Sequence, residues 1–225
     1  MSESFEFAAG NPWRFFTCVP REPKRWGAGR TALWLGAAFA AGSIPAGRLL
    51  TRALTGASLG DLGDGKSGSS NVARSVGFKA GTAVLAFDAA KAYVPATAAR
   101  LAGAGENTVA AVAIASMLGH VTMVKGRGAA CALGGAFAID PATMAVGCTS
   151  LVGGALVHKH PQSVAATAVA LPAISYAIHR SPARAWRAAV LIGVLLTARL
   201  KGSAGAGWPS TAAVWSNRFW LDRDG

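Results

Sequence analysis

The sequence predicts an all-α fold, a polytopic membrane helical bundle of about seven short transmembrane helices. Three observations carry that prediction. Apolar residues make up 52% of the 225-residue chain and charged residues 14%, with a mean hydropathy of +0.37, which leaves too little polar surface for a water-soluble domain of this size. The apolar residues fall in runs long enough to cross a hydrocarbon core, which takes roughly 20 residues at ~1.5 Å each. The basic residues, 22 against 10 acidic for a formal charge of +12, lie between those runs. In that placement they suit membrane lipids with anionic headgroups, or an anionic substrate at the membrane surface, and no nucleic acid is expected as a partner.

Residues 1–30 form a basic leader containing Arg14, Arg21, Lys24, Arg25 and Arg30, read as lying on anionic lipid. No small-residue cleavage site follows the next apolar run, so that run is read as retained. The membrane domain is expected over 31–200, with a first span at 31–50 (TALWLGAAFAAGSIPAGRLL). A second span covers 77–102 despite Lys79, Asp88, Lys91 and Arg100, and a third covers 107–124. Asp140-Pro141 interrupts the apolar stretch 128–157, and proline disfavours a helical residue before it, so two short helices should meet there at a turn. Residues 163–178 and 185–200 complete the set, and 201–225 reads as a loosely held aromatic tail.

Gly and Ala dominate these segments, which in lipid favours close helix approach, with Gly193 and the Gly153–Gly154 pair as examples. Trp26 and Trp34 bracket the start of the first span and Trp186 and Trp208 flank the last, as in an interfacial aromatic belt. Cys18, Cys131 and Cys148 form no disulfide framework. A multi-pass protein of the cytoplasmic (inner) membrane is expected, with its orientation left open because Lys and Arg occupy loops throughout the chain.

The chemistry-bearing residues concentrate in 42–91. A loop with Gly56, Gly60, Gly63, Gly65 and Gly68 leads into Ser69-Ser70-Asn71-Val72-Ala73-Arg74. Such a loop can turn backbone N–H groups inward as a nest for phosphate, with hydroxyls and an arginine completing the shell; the alternative is a flexible connector. Asp88 and Lys91 are three apart on an apolar helix and share a face. An intramembrane pair of this kind either serves function or ties a helix to a loop. His120 ends a charge-poor helix just before Lys125-Gly126-Arg127-Gly128, so it is either a structural helix-end histidine or part of an anion site.

GSIPAGRLLTR, GDGKSGSSNVARSVG and FDAAK, then GH followed by KGRGAACALGG, together resemble the bacterial acyl-phosphate:glycerol-3-phosphate acyltransferase family over most of 40–135. That family's pattern is approximately GSIPxG, GSGNxGATNVxR and DxxKG, then GHxxP and FKGGKGVAT. Ser163-Val164-Ala165-Ala166 is similar to its serine-containing segment, and His179-Arg180 to its third basic motif. The resemblance implies a seven-helix enzyme that moves a fatty acyl group from acyl phosphate to the 1-hydroxyl of glycerol 3-phosphate, giving lysophosphatidic acid. Acyl-CoA, metal and cofactor are not called for. It implies a catalytic set of Arg74, His120, Arg127 and Ser163, with Arg74 on a substrate phosphate and Arg127 where the family has lysine. The substrate-binding set it implies is Ser43, Asp64, Gly65, Lys66, Gly68, Asn71, Asp88, Lys91, Gly126, Gly128 and His179. Because acyl phosphate is already activated, such a site mainly positions and neutralises. The glycerol proton goes to His120 or to a substrate phosphate, and the sequence leaves both open.

The departures fall on polar positions. Gly60 stands in place of an arginine, Asp64 of a serine, Lys66 of an asparagine, and Pro182 of an asparagine three residues after His179. The interval from His120 to Arg127 is shorter than in the family, and the proline after the histidine is absent. Asp64 opposes a phosphate unless paired, and Lys66 is at hand to pair it. These changes define the alternative, a catalytically inactive relative acting as a membrane accessory or lipid- and phosphate-binding subunit, with its termini offered to a protein partner. A small anion transporter would suit the Asp88–Lys91 pair, but no inverted repeat is visible. Convergence of Arg74, His120, Arg127 and Ser163 on one pocket favours the enzyme.

Overall fold

The computed structural model describes residues 26–124, 126–202 and 207–223. Arg14, Cys18, Arg21, Lys24, Arg25 and Lys125 lie outside the described residues. Among the described residues every regular element is helical: α1 (Ala28–Gly42), α2 (Ala46–Thr55), α3 (Ser69–Ser75), α4 (Phe78–Leu101), α5 (Glu106–Gly119), α6 (Ala129–Ile139), α7 (Pro141–Leu156), α8 (His160–His179), α9 (Pro182–Lys201) and α10 (Ala212–Ser216). Two π-helical turns extend α5 and α10, at His120–Val124 and Asn217–Leu221. Among the described residues three stretches are long and apolar enough to cross a membrane, Ala28–Thr55, Glu106–Val124 and His160–His179, and α6 and α7 are shorter apolar helices.

The expected span at 31–50 is two helices. Ser43 caps α1, its hydroxyl donating to the Phe39 carbonyl at 2.8 Å, and Pro45 denies the next turn an N–H donor. The chain then restarts as α2, which buries Gly47 and Thr51 and exposes Arg48 and Arg52. The break at Asp140-Pro141 is where the sequence puts it. The Asp140 carboxylate accepts from the Thr143 backbone N–H at 3.1 Å and Pro141 opens the new helix, so one residue ends α6 and caps α7.

α4, α5 and α6 form the centre, with α1 against α5 and α4 on one side and the α7–α8–α9 series on the other. The core joins Ala92, Ala96, Val112, Met117, Cys131, Ile139, Leu171, Leu191 and Leu195. In lipid such a core holds by close van der Waals packing rather than by water exclusion. Glycines set the distances: a Cβ on Gly42 would overlap the Ser116 carbonyl, and one on Gly134 would overlap the Ala89 carbonyl. Gly193 and Gly153, picked from the sequence as contact glycines, have nothing within 4 Å of a Cβ, whereas Gly154 packs on Ser163.

The bundle has two polar ends. One carries the α1–α2 break, the loop 56–68, the turn after α5, the start of α8 and the end of α9; the other carries Arg100 paired with Glu106 at 2.9 Å and the α8–α9 turn. The expected loosely held tail is, over its described residues 207–223, docked on the bundle. Arg218 is buried and donates to the Leu200 carbonyl at 2.9 Å, and Phe219 is buried and stacked on Trp215 at 5.0 Å.

Candidate active site

The glycine-rich loop folds around one side chain. Asn71 is 2% exposed; its amide donates to the carbonyls of Leu62 (3.1 Å) and Lys66 (3.0 Å), and its oxygen accepts from the Asp64 N–H (3.2 Å) and the Ser75 hydroxyl (3.3 Å). All its capacity goes to loop shape. Gly63 and Gly65 have φ of +58° and +67°, and a Cβ at Gly63 would overlap the Asn71 oxygen, so this turn needs glycine for conformation and for space. Gly68 starts α3, its carbonyl accepting from Asn71 and Val72. Arg74, 61% exposed, pairs with Asp64 at 2.9 Å, so the carboxylate that departs from the motif meets arginine; it also accepts from the Lys66 backbone N–H at 3.2 Å.

Beneath this loop is a buried charged group. Lys91 Nζ lies 2.7 Å from Asp88 Oδ1, donates to the carbonyls of Gly42 (3.4 Å) and Ile44, and approaches His120 Nδ1 at 3.4 Å. The Ser43 hydroxyl turns back into α1, so Ser43 contributes its position beside Gly119. The π-turn at His120–Val124 pushes His120 inward, and a Cβ on Gly126 would overlap His120 Nε2, so the chain must pass the ring without a side chain. Gly128, at φ +76°, turns the chain into α6 and presses on Met117 and Val121.

Arg127 then reaches the tail, pairing with Asp222 Oδ1. The Arg199 guanidinium lies 3.7 Å from the same oxygen, and Lys66 Nζ is 3.5 Å from the Asp222 carbonyl. A continuous series of contacts therefore runs from His120 past Gly126 and Arg127 to Asp222, Lys66, Asp64 and Arg74. Beside it an apolar cavity of about 130 Å³ has Ser69, Ser70 and His160 at its polar rim and Ala136, Met144 and Leu171 in its wall.

Two expected residues are placed differently. Ser163 is at the same end, but its hydroxyl donates to the His160 carbonyl at 2.8 Å and its side chain packs on Gly154, while His160, Val164 and Thr167 line the cavity. His179 lies at the far end of the 20-residue α8, ~30 Å away, where it meets Asp140 at 2.9 Å. Arg199 is a buried cation at the loop end of the bundle, opposite His179. α9 runs back alongside α8 and brings this arginine to the Pro161 carbonyl at 2.9 Å. A lone arginine near the end of the apolar run LLTARLK was the signal, and Asp222 had none.

Known proteins are similar to this chain in sequence, and a solved structure is similar to it in fold. The chain is 44% identical over 112 residues to a glycerol-3-phosphate acyltransferase of Anaeromyxobacter sp. (strain K), a match that spans 46% of this chain and only 56% of that relative's length. It is 36% identical over 152 residues to the same-named protein of Geobacter sulfurreducens, covering 64% of this chain and 77% of the other. In fold it is similar to the crystal structure of PlsY (YgiH), an integral membrane glycerol 3-phosphate acyltransferase, in its glycerol 3-phosphate form: TM-score 0.69, 24% identity, 76% of this chain and 88% of that chain covered. The lysophosphatidic acid form of the same protein gives a TM-score of 0.67 at 22% identity, covering the same shares of the two chains. The model of the family described as glycerol-3-phosphate acyltransferase matches residues 32–205, and the chain belongs to that family.

Proposed function

We propose that the chain transfers a fatty acyl group from acyl phosphate to the 1-hydroxyl of glycerol 3-phosphate, giving lysophosphatidic acid in the cytoplasmic membrane. The observation that carries this is the adjacency of a cationic, glycine-lined polar site to an apolar cavity with a polar rim. Two phosphate-bearing reactants need the first, and an acyl chain needs the second. Glycerol oxygen attacks the acyl carbonyl, a new C–O ester bond forms, and the bond to the phosphate oxygen breaks with its electron pair leaving on phosphate. Arg127, Arg74 and Lys66 supply the charge that lets the two phosphates approach.

Of the two acceptors open to the hydroxyl proton, His120 and a substrate phosphate, the geometry favours the phosphate. Lysine ammonium can only donate, so the Lys91 contact at His120 Nδ1 makes that nitrogen the acceptor and leaves the proton of the neutral ring on Nε2. Nε2 then donates toward a substrate oxygen, and the hydroxyl proton passes to the departing phosphate. His120 acts as an oxyanion donor in this scheme.

The test is turnover by purified protein in lipid with acyl phosphate and glycerol 3-phosphate, beside Arg127→Ala. The variant should lose at least ~100-fold in kcat/KM, the usual size for one charge-stabilising donor. Wild-type protein that is folded and monodisperse yet silent favours the second reading, a non-catalytic accessory subunit. One observation supports that reading: Arg74, Lys91 and Arg127 each already meet a carboxylate of the chain, Asp64, Asp88 and Asp222.

A further inference from the structure

We propose that Asp222 is a built-in competitor for the substrate phosphate, its carboxylate occupying Arg127 and Arg199 of a cation cluster that includes Lys66, until it swings aside. The inference rests on reading that cluster as a phosphate site. Three cations converge on this one residue: Arg127 and Arg199 on its carboxylate, with Arg199 at 3.7 Å, and Lys66 on its carbonyl at 3.5 Å. A phosphate carries more charge and more acceptor oxygens than a carboxylate, so it can take the place of the Asp222 side chain on these cations.

The backbone that presents Asp222 is fastened down. Arg199, 3% exposed, donates to the carbonyls of Arg218 (3.0 Å) and Pro161 (2.9 Å), while Arg218 donates back to Leu200 (2.9 Å) and Lys201 (3.3 Å). The Asp222 side chain is nonetheless 39% exposed, so it can rotate away without undocking the tail. Asp222 lies outside residues 32–205 matched by the family model. A site available for only a fraction of the time binds more weakly by that fraction, which makes the Asp222 equilibrium a control on apparent phosphate affinity.

The experiment compares the full chain in lipid nanodiscs with Asp222→Asn and Asp222→Gly, both compatible with the φ of +59° at this position. Calorimetry with inorganic phosphate measures binding, and turnover with glycerol 3-phosphate and acyl phosphate measures KM. Both variants should bind phosphate about fivefold more tightly, with KM for glycerol 3-phosphate falling in step. Unchanged or weaker phosphate binding in folded variants overturns the proposal. So does a loss of turnover at saturating substrate with binding unchanged, which would make Asp222 a positioning residue for Arg127. Tighter phosphate binding without turnover in any form would sink the acyltransferase reading and leave the competitor standing.

Discussion

The buried charges tie α4 to its neighbours. Asp88 and Lys91 were legible as a pair from their spacing of three, but nothing in the sequence tells that Lys91 also holds the Gly42 and Ile44 carbonyls or that His120, 29 residues later, closes on it. Those contacts depend on the α1–α2 break and on the π-turn, which are products of packing. Replacing Lys91 alone with Met leaves the buried Asp88 carboxylate with only the His120 ring, 3.8 Å away, beside it and should cost about 3–5 kcal/mol, whereas Asp88→Leu with Lys91→Met should regain most of it. Thermal unfolding in detergent reads both, and turnover of the stable double variant shows whether the pair also serves the reaction. Asn71→Asp is the second residue-scale prediction. It sets a carboxylate oxygen against the Leu62 and Lys66 carbonyls, so ~1–3 kcal/mol should be lost and the loop 56–68 should become more open to protease.

At the scale of the helix, the sequence showed where helices run more reliably than how they touch. The apolar runs at 77–102, 107–124, 163–178 and 185–200 each contain or fall within a helix, because length and composition alone define such segments in lipid. Which glycine sits at a crossing was not legible, since Gly and Ala occur on every face and no polar side marks the outside. Gly134 and Gly193 make the contrast testable. A methyl at Gly134 meets backbone, the Ala89 carbonyl, so α4 and α6 must part, and Gly134→Ala should destabilise by ~1–3 kcal/mol. Gly193→Ala meets open space inside α9, so it should be neutral or slightly stabilising through helix propensity. Equal melting temperatures for the two variants would remove the glycine-crossing account of the core.

Across the whole molecule, the site is assembled from segments far apart in the chain: the loop 56–68, α4, the turn after α5, the start of α8, the end of α9 and the tail. The first three carry recognisable motifs and were legible; Arg199 and Asp222 reach the site only through the antiparallel return of α9 and the docking of residues 207–223. His179 was misplaced for the same reason, because a histidine beside an arginine in sequence says nothing about which end of a bundle it occupies. The same assembly forms the apolar cavity, whose walls come from α4, α6, α7, α8 and α9. Along α6 the cavity wall runs from Ala129 and Ala130 near the polar site to Ala136 about six residues deeper, ~9 Å at helical rise. If the cavity receives the acyl chain, its depth sets which donors are used, and a larger residue at the deep end should reject long chains while leaving the polar site intact. Ala136→Leu should therefore lower kcat/KM for a long-chain acyl phosphate by roughly tenfold or more relative to a short-chain one, with KM for glycerol 3-phosphate unchanged. An equal loss for both donors would place the acyl chain outside this cavity, on the lipid-facing surface of the bundle.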